Sequence, residues 1–542
     1  MGVDFLMNIM QKIISGIMIA GLLLINGCGG GSGDSEPVTA TGPEWTPGVY
    51  ESEDNFKDQC ENPRSGMDIN GEVFPDQAGS VLHENHWLRS WSDNTYLWYI
   101  ELPDIDPASE SNPVDYFDLL VTPQTTASGN DKDNYHFYMD SAEYQQRIQS
   151  GSSMSYGIDW GLTSPTVPRG LYINYIEPGS PAADLALALT RGVQVIEIDG
   201  VDVETENTQT GIDTLNAGLF PSSEGETHTF LIKDVGSLTT REITIEATSV
   251  TYDPVPMVDN FSTNTGNVGY LLFHDHNFVS ENKLYETITQ LANNNISDLI
   301  LDLRYNGGGF LYIASQLSYM IAGSSATNGQ TFEQMRFNDK HTQRDPVTGN
   351  LIAPTPFYSR ISQYSDTYAE GTALPQLNLS RVYILSTSGT CSASEAIING
   401  LRGIDVDVIL IGDTTCGKPY GFYATDNCGT TYFTIQFDGI NQKGVGGYSD
   451  GLSPMNTMAT VGEVIPGCSV ADDLTVPLGG LQDPLISAAL NYRATESCPP
   501  PVVKSKISGA KVHSLENKAG LMLPGLLNKK IYLQPYKKPY PE

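Results

Sequence analysis

Positive charge is scarce in this chain. Its 542 residues hold 29 Lys and Arg against 64 Asp and Glu, a formal net charge of −35. A surface of that sign repels phosphate backbones, which excludes nucleic acid as a partner and favours solubility. Histidine is also scarce, and its placement matters more than its number. The hydroxyl-rich stretch TSGTCSASEAIING, residues 387–400, has His341 as its nearest histidine upstream and His513 downstream. A serine nucleophile there finds no local imidazole to take its proton. Cysteine is sparse too, and no two form a C-x-x-C pair, so no zinc site is expected. Nothing in the sequence calls for a cofactor.

The N-terminal apolar run, IISGIMIAGLLLING, is too short to span a bilayer comfortably and follows Lys12. It ends in Ile25, Asn26 and Gly27 before Cys28, and is followed by the flexible GGGSGDSEP. This resembles a bacterial lipoprotein signal, in which Cys28 becomes the lipidated first residue. Residues 1–28 are then signal and 29–50 tether. Gly29 resembles signals sent on to the outer membrane. The expected location is the cell envelope, with a lipid-anchored protein facing the periplasm or on the cell surface. Six cysteines remain: Cys60, Cys391, Cys416, Cys428, Cys468 and Cys498. An even number in an exported chain reads as disulfides. A Cys416–Cys428 bond would bracket GKPYGFYATDN and is the expected pairing there. Cys391 is either half of a disulfide or a small buried residue.

Length and pattern divide the rest. Residues 51–150 carry helix-period apolar positions rich in tryptophan and predict a mostly helical N-terminal region. Residues 151–255 change to short strands with turns, and SPAADLAL predicts a short helix from Ser180. Residues 262–495 alternate strands (VGYLLF, SDLILDLR, RVYILS, VDVILIG) with helices, which predicts an α/β domain with a largely parallel sheet. Within it, the polar segment 324–376 is too long for a plain connector and reads as a lid. From 499 to 542 the balance reverses, with eight lysines against two glutamates, and a disordered basic tail is expected.

Three strand ends carry the chemistry. LILDLRYNGGG closes one strand with Gly307, Gly308 and Gly309, whose N–H groups can face an anion. SGTCSASE closes the next and opens a helix, whose first turn is positive. VDVILIGDTTCGKPYGF closes a third and holds Lys418 between Gly417 and Pro419. Sites in open α/β sheets form at the carboxyl ends of strands.

These stretches resemble the carboxyl-terminal processing, or tail-specific, serine proteases, whose core carries D-L-R-x-N-x-G-G, S-A-S-E and G-x-x-T-x-G-K in this order. EPGSPAADLAL with VIEIDG resembles a PDZ domain. The resemblance covers about residues 80–490 and implies a multidomain chain: a helical N-terminal region, a PDZ-like β domain and a crotonase- or ClpP-like α/β core. It implies Ser392 as nucleophile, Lys418 as general base, and Ala393 and Gly308 as oxyanion donors. Ser394 is the competing nucleophile, with capping or packing its expected job. Glu395 is explained by the helix dipole. A lysine acting at pH 7 must have its pKa lowered by about three, roughly 4 kcal/mol; burial beside Ile409 and Ile411 is the expected cause. Relatives often have glutamine where this chain has Phe422, so another group must orient the amine. The PDZ resemblance implies that Tyr156, Gly157 and Ile158 hold the carboxylate of a peptide's C-terminus. The expected partners are thus proteins and peptides with free C-termini, and the membrane through the anchor.

Two other readings stay open. His274 and His276 in FHDHNF would serve a Ser-His hydrolase resembling the tricorn core. An inactive PDZ lipoprotein that only binds tails would keep the fold without the chemistry.

Overall fold

Strands written as continuous apolar runs need cover on both faces, and here they have it. The computed structural model describes residues 42–500, apart from 70, 165 and 458–461, together with the backbone of 531–532. Cys28 and its signal lie outside the described residues. Among those described, no helix is long and apolar enough to cross a membrane.

The N-terminal region holds helices α1 (Val81–Thr95), α2 (Pro113–Asp118) and α3 (Ser141–Ser150), with strand β1 (Phe137–Asp140). Trp87 and Trp91, one turn apart on α1, stack with centroids 5.1 Å apart. They bury themselves against Tyr116, Phe117 and Tyr432. Tyr432 belongs to strand Thr430–Phe433, which pairs with β1. A Cys60–Cys428 bond adds a covalent link to the same hairpin. Helices thus make up most of the regular structure of this region, with short strands added, and it is packed onto the hairpin at 425–433.

The next region is a β domain with β2 (Ile158–Leu162), β3 (Leu171–Ile176), β4 (Gln194–Ile198), helix α4 (Gln209–Leu219), β5 (Thr227–Lys233) and β6 (Arg241–Glu246). Its antiparallel sheet runs β6-β5-β4-β3-β2, which leaves β2 at the edge. Val195, Ile198, Leu215, Phe230 and Ile245 share its core. SPAADLAL makes only a 3-10 turn, Pro181–Ala183, rather than the expected helix. Leu185 is 94% exposed, while Leu187 and Leu189 pack against the sheet core from turn and irregular structure.

The α/β domain contains β7 (Met257–Thr263), β8 (Gly266–Leu272), α5 (Phe278–Asn293), β9 (Ile296–Asp302), α6 (Leu311–Ala322), β10 (Thr331–Phe337), β11 (Arg381–Ser386), α7 (Ala393–Gly403), β12 (Asp407–Gly412), β13 (Gly467–Ser469) and α8 (Pro484–Thr495). The sheet order is β7-β8-β9-β11-β12-β13, parallel throughout except for β7 against β8. Period two sends Leu299, Leu301, Val382, Ile384, Val408 and Leu410 to the face under α5, α6 and α7. Ile300, Tyr383, Leu385, Ile409 and Ile411 go to the other face, under α8. Each fully buried aliphatic side chain contributes about 1.5–3 kcal/mol, so cover on both faces is what lets these strands be apolar throughout.

The 324–376 segment is not simply a lid. Its strand β10 pairs with Phe437–Ile440, which pairs in turn with Tyr420–Gly421. The segment is thus built into a second sheet beside the loop that carries Lys418. Of the basic tail, Ile531–Tyr532 forms a short strand parallel to Gly309–Phe310; the remainder beyond residue 500 lies outside the described residues.

Candidate active site

Strands β9, β11 and β12 are neighbours, so the three motif-bearing ends emerge side by side. The first end is fixed by charge. Arg304 is wholly buried and pairs with Asp302 at 2.6 Å, Asp483 at 2.6 Å and Asp472 at 2.9 Å. Asn306 then joins the glycine run to the next loop. Its side-chain amide donates to Phe273 O at 2.8 Å, and its Oδ1 accepts from Gly308 N–H at 3.0 Å. Its backbone carbonyl accepts from Cys391 N–H at 3.0 Å and from Ser394 Oγ at 3.1 Å. Ser394 therefore has a packing contact inside the loop. Gly308 N–H, expected to face an oxyanion, is turned inward to Asn306. Gly309 has φ +139°, and a Cβ there would meet His276 O at 2.6 Å, so the close approach of the two segments requires glycine.

The second end makes a sharp turn into α7. Ser392 sits at φ +62° and ψ −115°, a backbone region that side chains normally avoid. Its Oγ is buried and has no hydrogen-bond partner among the described residues. The hydroxyl is thus buried on a strained turn, set over the first turn of α7 in a capping arrangement with Glu395. Ala393 follows as the first residue of α7.

The third end brings Lys418, which is wholly buried. Its Nζ lies 4.1 Å from the ring centre of Phe422 and 4.9 Å from that of Tyr135. The aliphatic neighbours expected from the sequence, Ile409 and Ile411, are on the other face of the sheet. The amine is instead enclosed by aromatic rings, one of them from the N-terminal region. Tyr135 also donates its hydroxyl to Gly417 O at 3.1 Å. Nothing in the linear pattern around Tyr135 marks it, because its partner stands 282 positions away.

Glu395 holds the second and third ends together. Its Oε2 accepts from the backbone N–H of Ser392 at 2.9 Å and of Lys418 at 2.8 Å. Its Oε1 accepts from Thr415 Oγ1 at 2.5 Å and Gly417 N–H at 2.9 Å. The helix dipole alone understates this residue. Burial pushes its carboxyl above the usual range, and these donors pull it partly back. The expected Cys416–Cys428 bond does not form, because Cys428 is joined to Cys60 and Cys416 to Cys391; Cys468 pairs with Cys498. Among the described residues, the one grouping within reach of a metal ion is Cys391, Glu395 and Cys416, and both sulfurs are committed to that disulfide.

Of the two histidines of FHDHNF, His276 bonds to the glycine loop, while the His274 ring packs edge-on against Tyr175. His276 is wholly buried, and its Nδ1 meets Asn306 Oδ1 at 3.1 Å. Burial pushes its imidazole down to about 3 and that of His274 down to about 4. Both are neutral at pH 7.

In the β domain, Tyr156, Gly157 and Ile158 sit where the chain enters the edge strand β2. Gly157 N–H donates to Ser155 Oγ at 2.7 Å, and Tyr156 donates its hydroxyl to Gly218 O at 3.0 Å. A cavity of about 1120 Å³ begins there and extends past Leu219 and His274 to Tyr305. Ser392 and Lys418 are not in its wall. It leads to Tyr305, the residue beside Asn306, and not to Ser392.

Residues 267–422 match the model of Peptidase family S41, and residues 83–136 match that of the Peptidase S41 N-terminal domain. Among solved structures, the chain is similar to a putative S41 protease from Bacteroides fragilis. The identity is 21%, the TM-score 0.53, and the match covers 78% of this chain and 100% of that one. That likeness is one of fold. A photosystem II D1 C-terminal processing protease aligns at 16% identity and a TM-score of 0.44, over 76% of this chain and 97% of that one. No curated protein matches the chain.

Proposed function

We propose that this chain, a serine-type peptidase by its two family S41 matches, cuts peptide bonds with Ser392 as nucleophile and Lys418 as general base. The observation that carries the reading is the meeting of their two backbone N–H groups on one oxygen of Glu395. Ser392 Oγ passes its proton to the Lys418 amine while it attacks the scissile carbonyl. The ammonium then gives that proton to the leaving amine, and water repeats the sequence on the acyl-enzyme. Burial removes water from the amine and disfavours its charged form. The faces of Tyr135 and Phe422 stabilise the ammonium once it forms, by about 2 kcal/mol when desolvated. Ala393 N–H and the glycine run face the developing oxyanion; Gly308 takes part only by sharing its bond with Asn306.

Substrates are proteins or peptides taken by their free C-termini. The edge strand β2 offers its outer side to an added strand, and Leu219 at the end of α4 lines the same cavity as Ile158, as a PDZ-like groove would need. Tyr156 and Gly157 receive the carboxylate, Gly157 N–H by exchanging its bond to Ser155 Oγ, and Ile158 an apolar last side chain. Cys28 carries the lipid anchor that keeps the enzyme in the envelope.

Cleavage of one peptide as free acid and as C-terminal amide, by wild type, Ser392→Ala and Lys418→Ala, tests the reading. Both variants should fall to background, and the amide should be cut more slowly. Activity retained in Ser392→Ala removes the nucleophile; equal rates for acid and amide remove the β domain as selector.

A further inference from the structure

The loops bearing Ser392 and Lys418 are joined by a bond that the chemistry of peptide cleavage does not itself require. Cys391 immediately precedes Ser392, is wholly buried, and hangs from β11. Cys416 stands two residues before Lys418, is half-buried, and hangs from β12. The two sulfurs form a disulfide. Cys416 N–H also donates to Thr390 O at 3.0 Å, and Cys416 Sγ lies 3.4 Å from Glu395 Oε2. The covalent bond therefore runs beside the carboxylate that receives both dyad backbones.

Each loop has a reason to drift without it. Ser392 is held at φ +62°, from which an unconstrained turn would relax. Lys418 follows Gly417, at φ +87°, which gives the segment a pivot. The lysine side chain is long and flexible, and Phe422 presents a ring where a side-chain amide could have accepted a hydrogen bond from the amine. The place of the amine depends on where the backbone of its loop is held, and the disulfide holds that loop two residues away.

We propose that the Cys391–Cys416 disulfide is a positioning strap for the dyad, fixing the lysine's loop against the nucleophile's, and that it makes turnover sensitive to dithiol reductants. The proposal rests on the Ser392–Lys418 reading. Cleavage of the strap is ordinary thiol–disulfide exchange. One thiolate of the dithiol attacks a sulfur, and the second closes the reductant's own disulfide; Cys391 and Cys416 leave as two thiols with two electrons and two protons. The half-buried Cys416 sulfur is the one open to attack. Cys60–Cys428 and Cys468–Cys498 reach neither loop end of the dyad and serve as internal references.

The full chain is titrated with dithiothreitol, alkylated, and mapped by mass spectrometry while kcat, KM and the rate of fluorophosphonate labelling of Ser392 are followed. Loss of the Cys391–Cys416 bond should lower kcat and the labelling rate on the order of 10²-fold, the effect of a misplacement near 1 Å. KM should stay within about twofold, because substrate contacts are untouched, and reoxidation should restore both rates. Cys391→Ala/Cys416→Ala should behave as the reduced enzyme; if it does not fold, the titration still decides. Full activity with Cys391 and Cys416 alkylated overturns the strap, as does a loss that tracks either reference disulfide or appears in KM alone. Ser392→Ala, run alongside, separates the two failures: if it is inactive while the reduced enzyme is fully active, only the strap is wrong.

Discussion

The carboxylate of Glu395 accepts the backbone N–H of Lys418 at 2.8 Å, across the space between two strand ends. Glu395 lies three residues past Ser392 on α7 and Lys418 six past the end of β12, so one side chain spans elements that the sheet only brings near each other. Charge is well used here, because a buried carboxylate with four donors has its lone pairs occupied and tolerates no shift of any one donor.

Glu395→Gln should therefore damage catalysis more than stability. The amide keeps the size but turns one acceptor into a donor facing other donors. Hydrogen bonds to a charged group contribute about 1.5–3 kcal/mol each, so kcat should fall about 10- to 100-fold. Steady-state kinetics beside a melting curve would check this; an unchanged kcat would leave Glu395 a helix cap and no more.

Tyr135 makes two contacts that can be separated. Tyr135→Phe removes the bond to Gly417 O and keeps the ring over the lysine, so kcat should drop by less than about tenfold. Tyr135→Ala removes the ring, lets water reach the amine, and leaves a cavity expected to cost about 3–5 kcal/mol. Its activity loss, measured well below its own melting temperature, should exceed that of the Phe variant. Equal losses in the two would show that the ring face is not what the lysine uses.

Much of the core was legible because its signal is periodic. RVYILS is a strand at the residues expected, and the helix read in CSASEAIINGLRG runs from Ala393 to Gly403. The motif residues came together because parallel topology sets adjacent strand ends side by side. What escaped the sequence was long-range. The Cys428 partner, Cys60, lies 368 residues away, while a pairing inferred from nearness in the chain favours the wrong sulfur. Tyr135 gives no local sign of facing a lysine. Glu395 looked complete as a first-turn acid, since a dipole explanation asks for no partner. The 324–376 segment was read as a lid from its length and polarity, but its fate was set by where β10 found a free edge.

His276 provides a pH signature. Burial holds its imidazole at about 3 against an ordinary 6.5, so it stays neutral in the fold while the unfolded chain takes up a proton. Its contribution is fully present above pH 6.5 and is lost as pH falls towards 3. By pH 5 the loss is about 2 kcal/mol. His276→Gln loses the ring's packing and should lower stability at neutral pH, but its stability should fall less steeply between pH 6.5 and 5, by about one proton. Unfolding curves across that window decide it; parallel pH profiles for the two proteins would mean that His276 does not resist protonation.

Arg191 ties the β domain to the catalytic half. It pairs with Asp472 at 2.6 Å and donates to Tyr305 Oη at 2.8 Å and Val476 O at 3.2 Å. Asp472 also serves Arg304, so the two arginines share a buried acid. Removing Arg304 leaves Asp302 and Asp483 with uncompensated charge, and Arg304→Ala should cost about 3–5 kcal/mol and destabilise the α/β domain itself. Arg191→Ala leaves Asp472 paired with Arg304, and what it loses is the link between two regions that each have their own hydrophobic core. Calorimetry should then resolve an early transition for the β domain ahead of an almost unmoved main one. If Arg191→Ala shifts a single transition downward as a whole, the β domain is held by its packing and the arginine is incidental to it.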